Sequence, residues 1–166
     1  MADSQFWQFS LDFYGRPRVA EACLELQDSA GVDVNVLFFV LYMAAHKREL
    51  KRAEIERIDE SIKTWRDQAV VPLRTLRRKL KTGIAPLATA DTEKLRSAVK
   101  RLELEAEHIE QQWLERNFTP TNIGAPATSE NAAAQANLAA YGELMNGLPD
   151  PPVATLQLEF SAHVAR

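Results

Sequence analysis

Between Val34 and Ala45 the chain reads VNVLFFVLYMAA, twelve residues in which Asn35 is the only amide and no side chain is charged. A membrane-crossing helix needs roughly 20 apolar residues, so this run is too short to span and is expected to be buried in protein. Val34, Leu37, Phe38, Leu41 and Tyr42 form one helical stripe, and Val36, Phe39, Val40 and Met43 form another. A helix apolar on all sides must be enclosed by neighbours. The sequence therefore predicts a central helix over about 33–50, with Asp33 as its N-cap. Lys47, Arg48, Lys51 and Arg52 then return the chain to water.

The segments around this run are helical in pattern. A first helix is expected from about Asp3 to Tyr14, rich in Phe and Trp and stopped at Gly15. A second begins near Pro17 and carries Val19, Ala22, Cys23, Leu26 and Ala30 on one stripe before Gly31. Apolar positions from Ile55 to Leu80 recur in steps of three and four, which predicts a long helix over about 53–81, kinked at Pro72. Leu95, Val99, Leu102, Ala106, Ile109 and Trp113 form a coiled-coil-like seam in a helix over about 92–118. These two helices are expected to form an antiparallel hairpin. An Ala-rich helix is expected over about 129–147, and the tail after PDPP fits helix or strand equally. The fold class is thus all-α, a helical bundle, divided into a core over 1–118 and an extension over 119–166.

With 166 residues and 46% hydrophobic content the chain can bury a core without crosslinks. Cys23 is the sole cysteine and cannot pair within the chain, which suits a reducing, cytoplasmic compartment. The formal net charge of −3 gives no general attraction to nucleic acid or anionic lipid. Residues 1–14 lack the basic start and apolar stretch of a signal peptide.

The motifs FWQFSLDFY, ACLELQDSAGVDVN, VVPLRTLRRKLK and VKRLELEAE resemble those of a small all-helical proteobacterial family known only as a domain of unknown function. The resemblance covers about Phe6 to Phe118 and leaves 119–166 outside. It implies a helical, bacterial, cytoplasmic protein and carries over no activity.

Three residue groups invite a functional reading. Gln27, Asp28 and Asn35, with Asp33, gather where helix two meets helix three. They suit either a small polar pocket for metal or proton chemistry, or a structural corner in which Asp33 caps and Asn35 satisfies a backbone group or Gln27. Glu105 and His108 reproduce the Glu-x-x-His unit of dimetal bundles, but His46 and His163 stand in no second such unit, so no metal site is expected. Arg74, Arg77, Arg78, Lys79 and Lys81 make a basic stretch that suits an acidic protein partner, or less readily nucleic acid, because no aromatics interleave. Glutamates of the following helix are expected to neutralise it only in part. Cys23, on an apolar stripe, reads as a core thiol, and Trp7, Trp65 and Trp113 as core positions. No catalytic set, Gly-rich phosphate loop or cofactor motif is present. The sequence thus favours a cytoplasmic, non-enzymatic adaptor or regulator working through protein contacts. Its rivals are an enzyme or ligand carrier using the Gln27/Asp28/Asn35 corner and a nucleic-acid-associated factor using 74–81.

Overall fold

The computed structural model describes residues 4–166 and is all-α apart from one two-residue strand pair. Its helices are α1 (Gln5–Tyr14), α2 (Val19–Ala30), α3 (Val34–Ala45), α4 (Arg52–Trp65), α5 (Val71–Thr82), α6 (Thr89–Asn117), α7 (Glu130–Leu144) and α8 (Asp150–Val164). The start expected at Asp3 lies outside the described residues. None of these helices is long and apolar enough to cross a membrane.

The chain divides into two compact units, Met1–Asp59 with Gln111–Arg166, and Glu60–Glu110. The boundary expected at 118 falls inside the first of these. There α3 is enclosed as its composition requires. Val36 through Met43 are all buried, with Phe39, Leu41 and Met43 at 0% exposure. Helix α1 covers one side through an aromatic contact: Phe6 meets Phe39 edge-on at 5.1 Å between centroids, and Phe13 meets Phe38 at 5.3 Å. Helix α7 covers another side of α3, and α8 packs against α2 and α7. The tail after Asp150 is therefore helical. Its alternating Leu156, Leu158 and Phe160 resolve by burial, because Leu156 and Phe160 are at 0% while Leu158 is exposed.

Local chemistry sets the ends of α3. The Asp33 carboxylate accepts the amides of Asn35 at 2.8 Å and Val36 at 3.4 Å, as an N-cap should. Gly31 ends α2 at φ 67°, where a side chain would be strained. The helix stops at Ala45, short of the 50 expected, because Lys47 turns to φ 54° and the chain becomes extended. Strand β1 (Arg48–Glu49) pairs antiparallel with β2 (Ala125–Pro126). Gly124 permits this approach: a Cβ there would sit 2.9 Å from the Glu49 carbonyl oxygen.

The second unit is the hairpin. Between α4 and α5 the residues Arg66–Val70 form a π-turn just before Pro72. A proline inside a helix has no amide to donate and crowds the carbonyl four residues back, and a widened turn at that position relieves both faults. The expected kink thus takes the form of a π-bulge. Trp65 is not a core residue: it is 37% exposed, and its indole N–H donates to the Ala106 carbonyl at 3.0 Å.

Candidate interaction surface

The corner between α2 and α3 is built from residues far apart in sequence. Asn35 is buried, and its side-chain oxygen accepts from Gln111 Nε2 at 2.8 Å. Its partner is thus on α6, not the Gln27 amide or backbone expected. Gln27 is half-buried, and Asp28 is exposed on the outer surface. The hydroxyl of the fully buried Tyr141 on α7 closes the turn. It accepts the Asp33 amide at 3.3 Å and donates to the Asp33 carbonyl at 3.4 Å. The three candidate pocket residues therefore differ in burial, and Asn35 is held inside by an amide pair.

Asn137 of α7 had no signal in the sequence beyond being an amide in an alanine-rich helix. It is fully buried and makes three hydrogen bonds. Its oxygen accepts the Leu50 amide at 2.7 Å, and its nitrogen donates to the carbonyls of Val40 at 2.8 Å and Arg48 at 3.0 Å. It thereby ties α7 to α3 and to the strand that follows. Glu115 works similarly at α1, accepting the Phe6 amide at 3.1 Å in the first turn, where a carboxylate also suits the helix dipole. The same carboxylate accepts from the Tyr42 hydroxyl at 3.4 Å. Burial, with this negative charge beside it, pushes the Tyr42 phenol up to about 12. Burial likewise raises the Cys23 thiol to about 12, far from thiolate chemistry. Arg16 and Glu159 form a largely buried pair at 3.0 Å. Beside it His163 sits edge-on to Phe9, and burial, then the nearby Arg16 charge, pull its imidazole below the usual range.

The basic stretch of α5 splits in two. Arg74 reaches Glu103 at 3.2 Å and Glu107 at 2.8 Å, and Arg77 also bonds Glu103. Glu103 is only 6% exposed, and its hydrogen bond to Arg77 holds that guanidinium still more firmly protonated. Long guanidinium arms thus carry pairing further toward the loop than helix register alone suggested. Arg78, Lys79 and Lys81 stand on the exposed side.

This pairing also turns α6. The expected seam had Leu95, Val99, Leu102, Ala106, Ile109 and Trp113 facing inward together. Only Val99 and Ala106 of these are buried, in line with Thr92, Glu103, Glu110 and Leu114. Leu95, Leu102 and Ile109 are 53%, 52% and 43% exposed. Glu103 cannot meet both arginines with Leu102 turned fully inward, so the charged pairing and the apolar seam compete for one face.

No curated protein and no solved structure matches the chain. A family model does match, over residues 5–114, and that span takes in α1 through most of α6. With the helical order and the corner in place, the chain belongs to the family described as protein of unknown function, DUF2390.

Proposed function

We propose that this is a cytosolic, non-enzymatic adaptor or regulator whose contact element is the hairpin over Glu60–Glu110. One observation carries the reading. Thirteen large apolar side chains stand exposed among the described residues, and nine of them lie between Trp65 and Ile109. That span is less than a third of the chain. Scattered exposed leucines are ordinary, whereas a concentration in one element marks a surface that meets another molecule. Lys79 and Lys81 at the edge of this element add positive charge that steers it toward acidic protein surfaces. The Asn35–Gln111 pair and the closing Tyr141 weigh against the rival reading of a ligand pocket at the corner.

The test places a photo-crosslinking amino acid at Leu76, at Ile109 and, as a control in the other unit, at Leu24, which is 48% exposed. Illumination in living cells is expected to give discrete protein adducts from the two hairpin positions and far fewer from Leu24. Equal or absent adducts at all three would overturn the reading. Lys79→Glu with Lys81→Glu is expected to lower adduct yield several-fold.

A further inference from the structure

The hairpin leaves one apolar face whose layout is regular. Trp65, Leu76, Leu95, Leu102 and Ile109 are all exposed. Each immediately precedes a residue whose side chain is less exposed than its own: Arg66, Arg77, Arg96, Glu103 and Glu110. One residue is about 100° of helix rotation, so all five lie about 100° from the inward line, in the same sense. The two arms run antiparallel, as the pairing of Arg77 with Glu103 and of Arg74 with Glu107 requires. An equal rotation from inward on antiparallel helices brings both sets to the same side. Val71 and Leu104 fall on the opposite side by the same geometry.

We propose that the occupant of this face is a second copy of the chain, crossing antiparallel at Leu102. The inference rests on the hairpin being the contact element and names its partner. Leu95, Leu102 and Ile109 are spaced by seven residues, the period at which one helix seats against another. Leu102 is equidistant from the other two, so a two-fold axis through it sets Leu95 of each copy against Ile109 of the other. Arg101 and Glu105, both exposed, flank Leu102 on one edge. The axis places Arg101 of one copy about two residues, roughly 3 Å along the helix, from the level of Glu105 of the other. Five half-covered side chains amount to on the order of 400 Å² per copy, about the size of a functional patch. Two copies with their polar edges then reach the roughly 1,000 Å² that a specific interface needs. The pairing is isologous and closes on itself.

The full chain is examined by light scattering at roughly 100 μM, where micromolar association saturates. A dimer mass is expected, and Leu102→Glu, at an exposed position that leaves the helical signal unchanged, is expected to return it to monomer. Leu102→Cys is expected to oxidise to a disulfide-linked dimer, and Leu104→Cys on the opposite side is not. A monomer with no crosslink through Leu102→Cys overturns the proposal, as does a dimer that survives Leu102→Glu. If the chain is monomeric while the Ile109 crosslinker captures another protein, this inference fails and the adaptor reading stands.

Discussion

A chain cut after residue 118 is expected to have no stable native state. Helices α7 and α8 complete the enclosure of α3 and α2, and Leu138, Tyr141, Leu156 and Phe160 are each at most 1% exposed. Burying a large apolar side chain contributes roughly 1.5–3 kcal/mol, so these four together contribute on the order of 8 kcal/mol. A domain has only about 5–15 kcal/mol in total. The cut would also bare the side of α3 that α7 covers, leaving an exposed apolar surface prone to association. Urea titration followed by circular dichroism decides the matter. The full chain should unfold in one sigmoidal transition, and the fragment should show a sloping baseline or precipitate. A fragment with its own cooperative transition would restore the core over 1–118 as an independent domain, the division the composition suggests. The result also bears on the family match, which stops at 114 and so omits the helix that α3 rests on here.

Asn137→Leu is expected to cost about 4 kcal/mol, because a buried group left without its partner costs roughly 1–3 kcal/mol and the Leu50 amide is stranded together with two carbonyls. Leu keeps the branched heavy-atom shape of Asn, so no cavity opens, and the experiment reads the lost hydrogen bonds together with the crowding of two larger methyl groups. Chemical denaturation should show a lowered midpoint with an unchanged slope. Asn131→Leu, at the exposed start of the same helix, should change stability by no more than about 0.5 kcal/mol. Equal effects at both positions would mean that Asn137 is not the tie between α7, α3 and β1.

What was legible in the sequence follows from how local the deciding interactions are. The burial of α3 could be read because no side of it is polar enough to face water. Its N-cap and the stop at Gly31 each depend on one residue and its nearest amides. Pro72 announced a local break, though not its form as a π-turn. The orientation of α6 could not be read, because steps of three and four leave more than one stripe available. The choice falls to Glu103, whose partners Arg74 and Arg77 come from another helix. Asn35 likewise finds Gln111 seventy-six residues away, a distance that no local pattern encodes. Helix α7 is rich in alanine on several sides, so its inward face is unmarked and nothing local singles out Asn137. The β1–β2 pair is two residues long and leaves no alternation to detect.

The central claim is that α3 is the hub on which the first unit is assembled. Native-state hydrogen exchange measures this residue by residue, since amides of the most enclosed segment open only when the whole molecule unfolds. The amides from Val36 to Ala44 should be the slowest in the protein, exchanging with the free energy of global unfolding, while those of α5 exchange faster by local opening. Exchange of the α3 amides at rates equal to or above those of α5 would contradict the account.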